Sequence, residues 1–180
     1  MNRDQILVLG VGNILLSDEG FGVHVVNRLK ALYGFPENVC IMDGGVLGLN
    51  LLGPISEAAH LIVIDAIRNR HPAGTLYRIE SRDIPARIRS KNSLHQIDLL
   101  EALTLCEALG NVPETIILGV EPRDIETMDI HLTPEIAAKV DPIVDCVLKE
   151  LSRLNVSWQE KSGTYSEDGP SRSGCRDGFP

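Results

Sequence analysis

The chain has 180 residues, a length typical of one domain, and 43% of them are hydrophobic and 23% charged, as in ordinary globular proteins. Its 17 basic and 25 acidic residues give a formal net charge of −8. That sign argues against nucleic acid and membrane partners, because an acidic protein has no surplus of cations for phosphates. The sequence has neither the ~20-residue apolar run that spans a bilayer nor a signal-peptide layout, so we expect a cytoplasmic protein.

Strand and helix signals alternate along the chain. Apolar or alternating runs predict five strands at 6–9, 39–42, 61–64, 75–79 and 115–120. Amphipathic segments predict helices at 19–32, at 96–108 with Gly110 as the stop, and at 133–154. The alternation predicts an α/β layer fold with a mostly parallel sheet. The connection between the third and fourth strands is too short for a parallel crossover, so the fourth strand should run antiparallel to the third.

The last predicted helix has a capping sequence and an internal break. Thr133 is the expected cap, Pro134 and Glu135 suit the first turn, and Pro142 marks the expected break. We predict one domain over residues 1–154. The Gly-, Ser- and Pro-rich remainder, 155–180, is expected to be a disordered polar tail.

The four cysteines carry no metal or redox signature. They are far apart in the sequence and form no CxxC pair, so we expect three core thiols and one in the tail. The four are Cys40, Cys106, Cys146 and Cys175.

The loop after the first strand resembles a dinucleotide-binding loop only in part. Gly10 and Gly12 match the first two glycines of GxGxxG, but Leu15 stands where the third belongs. In addition, Asp18 and Glu19 lie at the predicted N-terminus of the first helix. The free N–H groups of a helix N-terminus attract phosphate, but the negative charges of these two side chains would repel a phosphate there. Nucleotide binding is therefore not expected.

Polar residues at predicted strand ends are the best candidates for chemistry, because ligands of open α/β sheets bind there. Glu19, Asp65 and His95 offer two carboxylates and an imidazole, a donor set that suits Ni, Zn, Mn or Fe. Each residue also has an ordinary explanation. Glu19 can complement a helix dipole, Asp65 can close an Asx-turn and His95 can be a solvated helix-start residue. Asp43, after the second strand, is a further acid at this edge.

Four motifs resemble those of the hydrogenase maturation endopeptidases, which trim the C-terminal extension of the [NiFe]-hydrogenase large subunit. The resemblance covers residues 6–154, although Val46 departs from the Thr or Ser of many relatives. The matching motifs are Gly10-Val11-Gly12-Asn13 followed by Asp18-Glu19-Gly20-Phe21-Gly22, then Asp43-Gly44-Gly45, Ile64-Asp65-Ala66 and Ser93-Leu94-His95.

The resemblance implies a fold and a set of site residues. It implies a three-layer α/β/α fold, with sheet order 2-1-3-5-4 and strand 4 antiparallel. Glu19, Asp65 and His95 match the family's nickel-contacting residues, and Asp43 matches an acid implicated in processing. The implied protein is an aspartyl-type peptidase that cleaves the nickel-loaded large subunit precursor. We expect it to act as a monomer on nickel supplied by the substrate, with other divalent transition metals able to occupy the site.

The sequence leaves the mechanism and two rival functions open. Nickel either polarises the carbonyl or activates water, or it only positions the chain while Asp43 or Glu19 acts as general base. We identify no Ser–His or Cys–His pair in the sequence that would favour an acyl-enzyme. The rivals are a metallohydrolase that holds its own metal and a nickel-dependent chaperone that binds the large subunit without cutting it.

Overall fold

The computed structural model describes residues 5–46, 51–83 and 94–161, with the backbone alone at 82, 94–98 and 100. The central sheet has five strands in the order β3-β1-β4-β6-β5, and only β5 is antiparallel to its neighbour. A second sheet pairs the short strands β2 and β7. The strands are β1 Ile6–Val11, β2 Tyr33–Gly34, β3 Val39–Gly45, β4 His60–Ala66, β5 Leu76–Glu80, β6 Glu114–Val120 and β7 Gln159–Glu160. The α-helices are α1 Phe21–Leu32, α2 Leu52–Glu57, α3 Leu94–Ala108, α4 Pro134–Ala137 and α5 Val140–Arg153.

Helices cover both faces of the central sheet. On one face Val8 and Ile62 pack with α1 and α5, and on the other face Leu9 and Val63 pack with α2 and α3. Full burial of each such side chain contributes about 1.5–3 kcal/mol. Strands buried on both faces explain why β1 and β4 are nearly continuous apolar runs. The three-layer α/β/α fold is therefore confirmed, as is the predicted order 2-1-3-5-4 when the five strands of this sheet are counted alone.

The first helix begins later than predicted. A 3-10 turn over Ser17–Gly20 precedes α1, so Glu19 does not lie in the first turn of the α-helix. Gly12, at φ +137°, allows this turn to fold back onto the loop, because a Cβ there would lie 1.8 Å from the Glu19 carbonyl oxygen. The glycines of the loop thus serve close packing of backbone against backbone.

The predicted last helix is two helices, and the break precedes the expected position. It falls at Ala138 and Lys139 rather than at Pro142, which lies in the first turn of α5. Proline is tolerated there because its missing N–H is not needed in a first turn. Thr133 does take the N-cap position of α4, but its hydroxyl makes no capping bond. That hydroxyl donates instead to the Asp18 carboxylate.

The ordered chain continues beyond the predicted boundary at residue 154. Val156 is buried, Trp158 packs against the core, and β7 pairs with β2. Two-residue strands have no periodic signal, which is why composition alone placed these residues in the tail. The rest of the predicted tail, 162–180, lies outside the described residues, and its disorder stays a prediction.

Three of the cysteines belong to the described part of the chain. Cys106 and Cys146 are buried as predicted, and burial raises the pKa of the Cys106 thiol. Cys40 is exposed, contrary to prediction, because β3 is an edge strand of the sheet. Cys175 lies outside the described residues.

Candidate active site at the carboxyl edge of the sheet

The parallel strands β1, β3, β4 and β6 end at one edge of the sheet, which we call the carboxyl edge. The chain leaves these strands in segments that begin at 12, 46, 67 and 121. Beyond such an edge the loops leave room for a ligand. Of the acids predicted from the sequence, Asp43 and Asp65 lie near the ends of β3 and β4, and Glu19 lies in the segment after β1.

Glu19 and Asp65 come to the same part of this edge. The 3-10 turn that carries the half-buried Glu19 packs against β4. Gly22 makes the approach possible, because a Cβ there would lie 2.1 Å from the Ile64 carbonyl oxygen. Asp65 is the next residue, near the end of β4, and is only 5% exposed. A buried carboxylate needs partners that compensate its charge, and a bound cation can be one of them.

The backbone of His95 lies toward the same edge. Helix α3 ends at Ala108, just before β6 starts from the opposite edge at Glu114. The 15 residues of α3 span roughly 22 Å, which is close to the length of the seven-residue strand β6. The first turn, with His95, therefore lies near the carboxyl edge, on the face covered by α2 and α3. Strand alternation directs Asp65 to that face as well, because Val63 packs there. The imidazole itself lies outside the described side chains, as does Ser93.

Asp43 is more distant and more exposed. It pairs with Gly10 of β1, which pairs in turn with Ile64 of β4. Two strand spacings put the backbones of Asp43 and Asp65 about 10 Å apart. The Asp43 Oδ1 accepts the Gly45 N–H at 2.9 Å, an Asx-type turn that fixes the carboxylate at the surface.

Asp18 has a structural position that the sequence did not reveal. Its side chain is fully buried, and its Oδ2 accepts the N–H groups of Arg123 and Asp124 at 3.0 and 2.9 Å. Its Oδ1 accepts the Thr133 N–H at 2.7 Å. The carboxylate thus ties the turn before α1 to both ends of the segment after β6. The sequence placed Asp18 at a helix N-terminus, but its carboxylate oxygens accept N–H groups from residues more than 100 positions away.

Glu121 is a second buried carboxylate that holds a loop. Its Oε1 accepts the N–H groups of Asn69 and Arg70 at 2.9 and 3.0 Å, and its Oε2 accepts the Tyr77 hydroxyl proton. Glu121 directly follows a buried strand and Asp65 lies near the end of one, so strand-end placement alone does not separate a structural acid from a candidate ligand.

Exposed apolar side chains frame part of the edge, and we call them the apolar rim. Hydrogen bonds join the three segments that carry them: the Gly12 N–H donates to the Gly45 carbonyl at 2.9 Å, and the Ser17 N–H to the Asp129 carbonyl at 2.7 Å. Exposed apolar side chains at a loop-framed edge are suited to a protein partner. The rim consists of Ile14, Leu15, Val46, Met128 and Ile130.

Two absences apply to the described part of the chain. Among the side chains described, which do not include His95, no three of His, Cys, Asp and Glu are grouped so that they could hold a metal ion. A closed metal site at this edge therefore needs His95, another residue outside the described set, or donors from a bound substrate. No described helix has the length and apolar character needed to cross a bilayer.

Comparison with known proteins identifies the protein family of this chain. The family model described as hydrogenase maturation protease matches residues 23–150. The chain belongs to this family.

Individual relatives agree over most of their length. The chain is 40% identical over 154 residues to the hydrogenase 2 maturation protease of Escherichia coli, covering 84% of this chain and 93% of the relative. It is 37% identical over 166 residues to the hydrogenase expression/formation protein HupD of Bradyrhizobium diazoefficiens, covering 91% and 86%. Among solved structures, the hydrogenase maturating endopeptidase HybD from E. coli matches with a TM-score of 0.84 and 38% identity over 88% of this chain and 98% of that one.

Proposed function

We propose that the protein is an endopeptidase that removes the C-terminal extension of the nickel-loaded [NiFe]-hydrogenase large subunit precursor. The observation that carries the proposal is that a member of the hydrogenase maturation proteases has Glu19 and the buried Asp65 at one part of the carboxyl edge. We propose further that it acts as a monomer in the cytoplasm.

Nickel recognition is the proposed role of Glu19, Asp65 and His95. Two carboxylates and an imidazole suit a divalent transition metal, and here the nickel belongs to the substrate. A precursor without nickel gains no coordination from these residues, whereas a loaded one does. Each 1.4 kcal/mol of that difference gives tenfold selection, so the site acts as a test for metal insertion before cleavage.

Peptide hydrolysis needs a water and a group that accepts its proton. Asp43 is at the surface, with one carboxylate oxygen oriented by the Gly45 N–H, and it is a candidate general base. Glu19 is the alternative base. The nickel of the substrate either polarises the scissile carbonyl or activates the water, or it only holds the chain in position while the carboxylate acts as base.

The apolar rim supports a protein substrate rather than a small molecule. Its side chains come from three segments around the edge that carries Glu19. Val46 lies in the segment after β3 and Met128 in the segment after β6, although residues 47–50 lie outside the described part. We propose that these two segments frame the substrate groove.

The decisive experiment compares the two forms of the substrate. The protein is incubated with nickel-loaded and with nickel-free large subunit precursor, and the intact masses are measured before and after. We expect loss of a discrete C-terminal peptide from the loaded form alone. Cleavage of both forms would reject nickel recognition, and cleavage of neither would reject the endopeptidase.

The mass measurement and an elemental analysis together test the two rival functions. A chaperone would bind the loaded precursor without any change of mass. A metallohydrolase with its own metal would retain a stoichiometric metal ion after treatment with a chelator, which elemental analysis of the purified protein detects.

A further inference from the structure

Two arginines at the carboxyl edge differ from the other described arginines. Arg68 and Arg70 are exposed and have no ion-pair partner among the residues that the structure describes. The other arginines with described side chains all form ion pairs. These pairs are Arg28–Asp141, Arg78–Glu80 with Arg78–Glu150, Arg123–Glu135 and Arg153–Glu150.

The loop that carries these arginines is held in place by buried groups. The Glu121 carboxylate accepts the N–H of Arg70, and the Glu121 carbonyl accepts the Gly74 N–H at 2.8 Å. The Ile67 N–H donates to the Val120 carbonyl, also at 2.8 Å. Arg70 has φ +60°, in the left-handed region that a non-glycine residue rarely adopts. Fixed neighbours stabilise this backbone while the two side chains stay in solvent, an arrangement that favours a binding role.

The arginines lie close to the candidate nickel site. Arg68 follows Asp65 by three residues, so the two Cα atoms are at most about 11 Å apart. A bound peptide in an extended conformation covers that distance in about three residues. One peptide can therefore contact both places at once.

We propose that Arg68 and Arg70 form a carboxylate-binding site for the C-terminal extension of the substrate. This inference rests on the proposed function. A guanidinium binds a carboxylate through two parallel N–H···O bonds, a geometry that lysine does not provide. The carboxyl edge then has two binding places of opposite charge. Glu19 and Asp65 attract the cation of the substrate, and the arginines bind an anion that lies a few residues further along the substrate peptide. Because the whole chain carries a net charge of −8, attraction of an anion depends on these local contacts.

Steady-state kinetics on nickel-loaded precursor tests the site. For the double variant Arg68→Gln/Arg70→Gln we expect KM to rise about tenfold with kcat within about twofold of wild type, because binding and not chemistry loses a charge-assisted pair. Added salt should lower kcat/KM of the wild type more than that of the double variant. The matched control is Arg28→Gln/Lys30→Gln, which removes the same charge from the C-terminal half of α1, away from the edge. We expect its KM to equal that of wild type.

Altered precursors identify the source of the carboxylate. Replacing the acidic residues of the extension by their amides raises the wild-type KM if a side chain is bound. Adding a short glycine run after the last residue raises it if the terminal carboxylate is bound. In either case the double variant should not respond to the change.

Specific outcomes overturn the inference without affecting the proposed function. These are a double variant with wild-type KM, a control that loses as much as the double variant, a loss confined to kcat, or a wild type indifferent to both altered precursors. Failure of the wild type to cut the loaded precursor would instead reject the proposed function.

Discussion

The Asp18 carboxylate accepts two hydrogen bonds from Thr133, one from the backbone N–H at 2.7 Å and one from the side-chain hydroxyl at 3.0 Å, although 115 residues separate Asp18 from Thr133 in the chain. Through this contact the turn before α1, which carries Glu19, is fixed to the start of α4. Glu19, a candidate nickel ligand, is thus positioned by the buried Asp18 that precedes it in the sequence.

Asp18→Asn should destabilise the protein without touching any proposed ligand. The amide nitrogen cannot accept the N–H groups that now donate to one of the carboxylate oxygens, so at least one buried donor loses its acceptor. We expect a loss of about 3 kcal/mol, or roughly 6–12 °C in Tm, measured by calorimetry. The matched control is Asp43→Asn, whose exposed side chain can keep its single bond to the Gly45 N–H. Equal Tm values for the two variants would contradict the structural role of Asp18.

Glu19→Gln, Asp65→Asn and His95→Ala should each abolish processing while the fold is kept. Each change removes one proposed nickel ligand, and we expect cleavage of loaded precursor to fall about 100-fold or more. Intact-mass measurement of the precursor follows cleavage, and circular dichroism checks the fold. Full activity of any one variant would reject the assignment of that residue.

Glu121→Gln should loosen the loop that carries Arg68 and Arg70. The buried carboxylate now accepts the N–H groups of Asn69 and Arg70. With a neutral, weaker acceptor, we expect amide hydrogen exchange at these two residues to accelerate by about tenfold, while exchange in β1 changes little. Tyr77→Phe is the control, since it removes a different donor to the same carboxylate and leaves both N–H bonds possible. Unchanged protection at Asn69 and Arg70 would show that Glu121 does not hold the loop.

Stability should depend on pH through Glu150. Burial raises the pKa of this carboxyl, but hydrogen bonds and charges from Arg78 and Arg153 together outweigh burial and leave the pKa below its ordinary value. A lowered folded-state pKa stabilises the protein above the unfolded value of about 4.3, and this contribution is lost as pH falls through the folded pKa.

Urea denaturation of wild type and Glu150→Gln measures this contribution. At pH 7 we expect the variant to be less stable by roughly 2–3 kcal/mol, because Arg78 and Arg153 lose a buried partner. The difference should begin to shrink as pH falls below the unfolded-state value of about 4.3, and it should disappear once Glu150 is protonated in the folded protein and resembles glutamine. A difference that stays constant down to pH 3 would contradict the ion-pair explanation.

The C-terminal region should contain a part that stabilises the fold, up to Lys161, and a part that does not, from residue 162 onward. Removal of 162–180 should leave processing and Tm unchanged, since that part is predicted from composition to be a solvated tail. Removal from Asn155 onward should lower Tm by several degrees, because Val156 and Trp158 pack on the core and β7 pairs with β2. Thermal denaturation of the two truncated chains separates the cases, and equal Tm values would place the end of the folded domain before Asn155.

Local sequence patterns predicted the elements well where burial is uniform. The strands β1 and β4 and the end of α3 follow from apolar runs and from Gly110, which is at φ +76° and lies where the Asn111 N–H bonds back to the Cys106 carbonyl. Such signals depend on neighbours within a few residues, so they can be read without the fold. The late start of α1 and the break before Pro142 were missed because each depends on contacts or sterics beyond the periodic pattern.

The α/β class, the antiparallel β5 and the presence of acids at strand ends could be predicted from the sequence, because periodicity, connection length and residue type are local properties. The role of each acid could not be predicted, because it depends on contacts that form when the chain folds. Asp18 and Glu121 are buried, and their carboxylate oxygens accept hydrogen bonds from backbone N–H groups far away in the sequence, whereas Asp43 is exposed to solvent. A carboxylate has the same chemistry in every context, and its role is set by the donors that folding brings to it across the chain.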